Sequence, residues 1–247
     1  MAYGLTFGAA VSDRVDIGSN ASIENLTTWT ALLWVRQTTL TDLRVLLALD
    51  ANNQLFRLDL AAGNIEVDCT RATTSLTYTT SDTPLASAGA WKCVAATVDH
   101  AGSAGELANI YHGNLTSAMA ESTYGTQTDG AGAFTVSGTG GWIGNTSALT
   151  RSFQGDIGPV ALYNRVLSLA ECEAWRLHPS RLIGSGCVGF WILGNGGSTG
   201  TQADLSGNTN DGTVTGATAA STQLALALHG PLVTTGTRVR SLCGGLV

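Results

Sequence analysis

Phe153-Gln-Gly-Asp-Ile-Gly-Pro-Val-Ala-Leu-Tyr163 runs directly into Asn164-Arg-Val-Leu-Ser-Leu-Ala-Glu171, and this stretch decides the fold. Its first half carries β-branched and aromatic residues punctuated by Gly and Pro, which reads as a strand. Its second half opens a helix. Ser168 and Glu171 have the spacing of a capping box. In that motif the serine oxygen takes an orphan N–H of the first turn, and the glutamate reaches back to the N-cap backbone. The helix is predicted to run to about Leu177 and stop at His178-Pro179, because a residue before proline is pushed out of the α region. Leu169, Cys172, Trp175 and Arg176 fall on one side of it, which places it over the edge of a sandwich.

Upstream, strands and turns alternate. Leu5-Thr-Phe7 and Val15-Asp-Ile17 read as short opening strands. Thr30 to Arg36 is a β-rich run with Leu32 and Trp34 on one face. Leu43 to Leu49 is more continuously apolar, the pattern of a strand covered on both sides. Leu55 to Leu60 and Ile65 to Cys69 form a hairpin about Gly63-Asn64, and Ser75 to Thr80 extends it. Trp91 to Val98 is a clear strand, and Leu107 to His112 returns from the turn at Asp99 to Gly105. Residues 123–141 are rich in Gly and Thr and read as a long loop with one edge strand. Downstream, Gly186 to Leu193 is another strand. Asp204 to Gly212 is a turn dense in residues that tolerate positive φ. Leu224-Ala-Leu-Ala-Leu228 alternates at period two. The expected fold is all-β: a two-sheet antiparallel sandwich with one short helix near 168–177.

Composition bounds the function. The 247 residues fit one sandwich domain, and 31 glycines against 4 prolines suit short strands joined by small-residue turns. Only 12% of residues are charged, against roughly 25% in an average soluble protein. Lys92 is the only lysine. Either a Ser/Thr-covered surface accounts for this, or part of the exterior is buried against other copies or partners. A net charge of -6 with scattered arginines excludes nucleic acid, whose phosphates need clustered cations. No apolar run approaches the roughly 20 residues that span a bilayer, so no membrane partner is expected. The opening Met-Ala-Tyr-Gly-Leu-Thr-Phe lacks the regions of a signal peptide. Together with the odd count of 5 cysteines, this predicts free thiols and cytoplasmic synthesis.

These residues resemble the laminin-G-like jelly rolls of the concanavalin A-like lectin/glucanase superfamily. Thr30-Ala-Leu-Leu-Trp-Val-Arg36, Trp91-Lys-Cys-Val-Ala-Ala-Thr-Val-Asp99 and Ile110-Tyr-His-Gly113 are similar to three of its strand motifs. Phe153 to Glu171 closely resembles its closing strand and helix. Gly189-Phe-Trp-Ile-Leu193 through Asp204 to Thr213 resembles a segment that opens the domain in many members but comes late here. It is expected to add its strand to the same sandwich. The resemblance implies a concanavalin A-like jelly-roll domain over residues 1–221, with residues 222–247 as a C-terminal strand or arm. It implies no particular activity, because the fold hosts lectins, hydrolases, adhesion modules and virion proteins.

Few residues carry chemistry. Glu66-Val-Asp68 puts two carboxylates on one sheet face, as a glycosidase would, but Arg71 stands where a third carboxylate would fall. The bland reading is two solvent-facing carboxylates, and no catalytic residue is assigned. His100 and His112 sit at turns, and Gly184-Ser-Gly186 lacks the nucleophile-elbow pattern. Asp204, Asn208 and Asp211 concentrate oxygens in a weak calcium candidate whose spacing fails the EF-hand loop. An Asx-rich turn explains them equally, and no cofactor is expected otherwise. Trp142, Tyr124 and Asn145 flank the long loop and are the glycan-binding candidates, with loop anchoring the competing reading for Trp142. Trp29, Trp34, Trp91 and Trp191 sit inside strand patterns and read as core. Leu224, Leu226, Leu228, Val233, Arg238 and Arg240 are partner-interface candidates, since an apolar arm can add a strand to a neighbour's sheet. The leading expectation is a non-enzymatic structural or interaction subunit of a virion surface, a phage capsid decoration or tail-associated protein. It would form a homo-oligomer or join a virion assembly, at the virion surface or extracellular. The alternative is a lectin-like carbohydrate-binding module, and a glycoside hydrolase is a remote third.

Overall fold

The structure is a computed structural model that describes residues 4–224, apart from 9–11, 41–42, 59–61, 136, 196 and 223. In chain order the strands begin with β1 (Leu5–Phe7), β2 (Arg14–Gly18), β3 (Thr28–Gln37), β4 (Arg44–Leu49), β5 (Gln54–Leu58) and β6 (Ile65–Cys69). They continue with β7 (Leu76–Thr80), β8 (Trp91–Asp99), β9 (Ala108–Asn114), β10 (Ala120–Glu121), β11 (Tyr124–Thr128) and β12 (Gly141–Ile143). Strand β13 (Gly155–Tyr163) leads to helix α1 (Leu169–Leu177), followed by β14 (Cys187–Ile192), β15 (Thr201–Gln202), β16 (Gly212–Thr215) and β17 (Thr218–Ala219).

Among the described residues these strands form two antiparallel sheets. One has nine strands in the order β11-β7-β6-β5-β4-β12-β2-β16-β15. The other has eight, in the order β10-β9-β8-β3-β13-β1-β17, with β14 also on β13. Alternation along each strand sends Val15, Ile17, Phe56, Leu58, Val67 and Tyr78 of the first sheet inward. There they meet Leu5, Leu33, Val35, Val94, Ile110 and Val160 of the second in one buried core. This is the sandwich that the period-two patterns predict.

The stretch from Phe153 holds the second sheet together. Strand β13 pairs with β3 along most of its length, with β1 at its start and with β14 at its end. It is therefore buried at every position, as befits a central strand. Only glycine fits at Gly155, since a Cβ there would collide with the Arg36 carbonyl. The late segment joins the same sandwich: β14 extends the second sheet, β16 pairs with β2 and β17 with β1.

The capping box forms as read. Ser168 Oγ accepts from the Glu171 amide at 3.3 Å, and Glu171 Oε2 accepts from the Ser168 amide at 2.9 Å. Two details differ from expectation. The helix lies on the outer face of the eight-stranded sheet rather than at its edge. Its Cys172 and Trp175 join Leu32, Trp34, Cys93, Ala161 and Tyr163 in a second buried cluster. Leu169 is not on the buried side; it is 40% exposed. The physical reason is position, because Leu169 is the first helical residue and has no preceding turn to pack on the sheet. Arg176 is buried instead, where its guanidinium pairs with Glu173 and donates to the Asn114 carbonyl on β9. Strand β4 carries a bulge between Val45 and Leu47, which breaks the simple alternation of its apolar run.

Candidate functional site

The outer face of the nine-stranded sheet is built by residues that alternate with the core set. Their register aligns one residue from each strand in a single row. Thr201 faces Thr213, Thr213 faces Asp16, and Asp16 faces Trp142. Trp142 faces Ala48, Ala48 faces Leu55, and Leu55 faces Asp68. Asp68 faces Thr77, and Thr77 faces Thr128. Directly opposed residues in an antiparallel sheet share a face, and Val15, Ile143, Phe56, Val67 and Tyr78 beside them point into the core. The row thus has an apolar centre (Trp142, Ala48, Leu55), a carboxylate on each side of it, and hydroxyls beyond. Trp142, Leu55, Asp16 and Asp68 are half-buried, and Ala48 is fully covered.

A second row lies one step along the strands, with Val45 opposite Arg57, Arg57 opposite Glu66, and Glu66 opposite Thr79. The Arg57 guanidinium bonds to Glu66 and stands 3.5 Å from Asp68, while Thr79 Oγ1 donates to Glu66 at 2.9 Å. Burial pushes the Asp68 carboxyl up, and Arg57 partly offsets this. The two carboxylates singled out from sequence therefore share one cation. A glycosidase instead needs two carboxyls free to act on opposite sides of a bond. A cavity of about 150 Å³ lies elsewhere, at the β15 edge, lined by Ile192, Asn195, Thr201, Gln202, Ala203 and Leu205.

The three glycan candidates do not converge. Trp142 points off the outer face, but Tyr124 sits five strands away, about 24 Å at the usual spacing. Tyr124 packs against the core, edge-on to Tyr78 at 5.8 Å. Its hydroxyl accepts from the Ile110 amide at 2.8 Å and donates to Glu121 at 3.2 Å, and burial pushes its phenol up. Asn145 is fully buried. Its Oδ1 accepts from the Thr146 and Arg151 amides at 2.8 and 3.0 Å, and its Nδ2 donates to the Asp13 carbonyl at 3.1 Å. Both residues hold the chain's own backbone.

The weak calcium candidates are likewise engaged by the chain. Asp204 accepts from the Phe190, Ser206 and Asn210 amides and from Ser206 Oγ, at 2.8 to 3.0 Å. Asp211 accepts from the Asp204 amide at 2.8 Å, and Asn208 donates to the Cys187 carbonyl at 3.2 Å. This loop clips β14 into place. Among the described residues no group of three or more His, Cys, Asp or Glu is arranged to hold a metal ion. Of the interface candidates, Leu224 is buried in the second cluster of its own chain, beside Trp34, Trp91 and Phe190. Leu226, Leu228, Val233, Arg238 and Arg240 lie outside the described residues.

Residues 8–172 match the family profile of the Concanavalin A-like lectin/glucanases superfamily. The chain belongs to this superfamily. No curated protein matches it in sequence. Among solved structures it is similar to a candidate carbohydrate-binding protein from Bacteroides ovatus. The TM-score is 0.61 and the identity 16%, covering 92% of this chain and 62% of the other. It is also similar to the heptameric SAP-like pentraxin of Limulus polyphemus, with a TM-score of 0.52 and 9% identity, covering 75% and 87% of the two chains. Domains LG4-5 of the mouse laminin alpha1 chain align with a TM-score of 0.46 and 15% identity, over 69% and 44%. The chain thus spans less than two thirds of the length of the Bacteroides protein.

Within this concanavalin A-like sandwich, sequence reading missed Asp16, Ala48, Leu55, Thr77, Thr128 and Thr213 as one surface. The sequence placed Asp68 on a solvent-facing side of its hairpin. What was missing is the register that sets β2, β12 and β4 side by side from three distant parts of the chain.

Proposed function

We propose that this superfamily member is a non-catalytic binding module whose ligand is carbohydrate and lies on the outer face of the nine-stranded sheet. The carrying observation is the cross-strand row with Trp142 at its centre. A half-buried indole beside carboxylates offers a sugar a flat apolar surface and hydrogen-bond acceptors at once. The likeness to a candidate carbohydrate-binding protein supports the same class. The pairing of Glu66 and Asp68 through Arg57 supports a binding rather than a hydrolytic role. The reading requires no cofactor. A glycan array probed with the purified chain tests it. Hits are expected, and they should vanish in Trp142→Ala while the melting temperature stays near that of the wild type. A blank array overturns it.

A second reading, a virion-surface subunit in contact with other protein subunits, rests on a different observation. Val166, Leu169, Leu177 and Leu182 are each 39–50% exposed around α1, and only 12% of residues are charged. Exposed apolar groups in and beside one helix suit a protein contact. Capsid or tail genes beside this gene would support that reading, and metabolic neighbours would remove it.

A further inference from the structure

The order of residue types along the row restricts the ligand further, on the assumption that the outer face is the binding face. The apolar residues Trp142, Ala48 and Leu55 occupy three adjacent strands, β12, β4 and β5. The change from apolar to acidic to hydroxylic therefore runs across the strands. A ligand that follows it must cross them. Asp16 on β2 and Asp68 on β6 stand four strand spacings apart, about 19 Å, which is room for about four pyranose rings end to end.

Charge limits the choice again. This face carries Arg14 and Arg57 as cations and Asp16, Glu66 and Asp68 as anions. Arg57 is taken by Glu66 and Asp68, and Arg14 donates to the Ser12 carbonyl at 3.1 Å. Along the row a ligand meets Asp16, which also accepts from the Gly18 amide at 2.9 Å, on one side of the apolar centre and the Arg57-paired Asp68 on the other. Carboxylates accept from hydroxyl groups and repel anions. The whole chain, at a net charge of -6, adds to that repulsion. Beyond the carboxylates, Thr213 and Thr201 on one side and Thr77 and Thr128 on the other supply hydroxyls that both donate and accept.

We propose that the ligand is an uncharged oligosaccharide laid across the strands, with inner rings on Trp142 and Leu55 and its ends hydrogen-bonded to Asp16 and Asp68. Ala48 sits between the two apolar residues and is fully covered, so apolar contact with the ligand falls to Trp142 and Leu55. Uronates and sialylated chains are disfavoured by the excess of anions over cations on this face and by the net charge of -6.

Titration calorimetry on the full chain tests this. The probes are cello-, xylo- and manno-oligosaccharides from disaccharide to hexasaccharide, and galacturonate oligomers of the same lengths. Affinity for at least one uncharged series is expected to climb to about the tetrasaccharide and then level off. Galacturonates should bind at least about tenfold more weakly. Asp16→Asn and Asp68→Asn, checked for unchanged melting temperature, should narrow that gap and weaken the tetrasaccharide more than the disaccharide. Equal or tighter galacturonate binding, or affinity independent of length, overturns the inference. If either occurs while Trp142→Ala still abolishes binding, carbohydrate recognition at this face stands and only the ligand assignment fails. If none of the probes binds and the glycan array is blank, both fail.

Discussion

Arg36 on β3 and Asp156 on β13 stand directly opposite each other, and the Asp156 carboxylate, with no exposed surface, takes both Nε and Nη2 of the arginine at 2.7 and 2.5 Å. Thr6 on β1 completes the cluster by donating to Asp156 at 2.6 Å. One buried acid thereby ties together three neighbouring strands of the eight-stranded sheet. Removing one partner of a buried ion pair leaves the other charged and unpaired, at a cost of about 3–5 kcal/mol. Asp156→Ala is therefore expected to lower the unfolding free energy by that amount, read as a lower urea midpoint with an unchanged slope. Arg36→Ala should cost more, since it leaves the fully buried Asp156 carboxylate with Thr6 alone, whereas the Arg36 left behind by Asp156→Ala keeps 13% side-chain exposure. Equal stability of wild type and Asp156→Ala would show that the cluster contributes nothing.

The start of α1 makes a prediction of its own. Besides the capping box, Glu171 accepts from Arg165 at 2.7 Å. That bond first, and the Ser168 amide second, hold the Glu171 carboxyl at about 2 against an ordinary value of 4.5. Its folded form thus binds the proton less readily than the unfolded chain. The stabilisation is complete above about pH 4.5 and is lost as pH falls toward 2. Ser168→Ala is expected to cost about 1 kcal/mol at neutral pH through the lost cap. Glu171→Gln should flatten the stability profile below pH 4.5, measured by denaturant midpoints across that range. An acid limb of the same steepness in Glu171→Gln would refute the assignment.

Much of the fold was legible because the signals are local. The capping box of Ser168 and Glu171, the Gly63-Asn64 turn and the alternation of Ile65 to Cys69 each need only a few neighbouring residues to be read. The candidate site was legible only in part. Trp142 was picked out as an aromatic flanking the long loop, and Tyr124 and Asn145 were grouped with it because they flank the same loop. The sheet puts Tyr124 five strands away on the core side and turns Asn145 into a backbone clamp. Cross-strand register depends on which distant segments pair, and no residue announces that β12 will lie between β2 and β4. The exposure of Leu169 has the same character: helical periodicity places it near Cys172, but contact with the sheet begins a turn later.

His100 offers a separable pH effect. Its ring stacks on Phe134 with centroids 3.9 Å apart and planes at 25°, and among the described residues neither ring nitrogen has a hydrogen-bond partner. Burial, then the nearby Arg71, lower its pKa from 6.5 to about 4, with Asp99 opposing. The unfolded chain therefore takes up this proton first on acidification. Stability from the neutral ring is complete above about pH 6.5 and is lost as pH falls toward 4. His100→Phe keeps a ring to stack on Phe134 and removes the titration. It is expected to match or exceed the wild type at pH 7 and to lose less stability by pH 4.5. Parallel profiles for the two proteins between those values would contradict this.

Leu224 offers a test of where the folded domain ends. The alternating run it opens suggested an arm that leaves the domain after residue 221. Its own side chain, 3% exposed, instead packs in the second cluster with Trp34, Trp91 and Phe190. Burying a leucine is worth roughly 2 kcal/mol in transfer alone, and its removal leaves a cavity besides. Leu224→Ala is therefore expected to cost about 2–4 kcal/mol, and Leu224→Asp more, because it would bury an unpaired charge. A chain truncated after residue 221 should melt lower than one truncated after residue 224, with the difference close to the Leu224→Ala effect. Melting curves for these four proteins separate the two roles. If truncation after 221 leaves the melting temperature unchanged while assembly with another subunit is lost, Leu224 belongs to the interface after all.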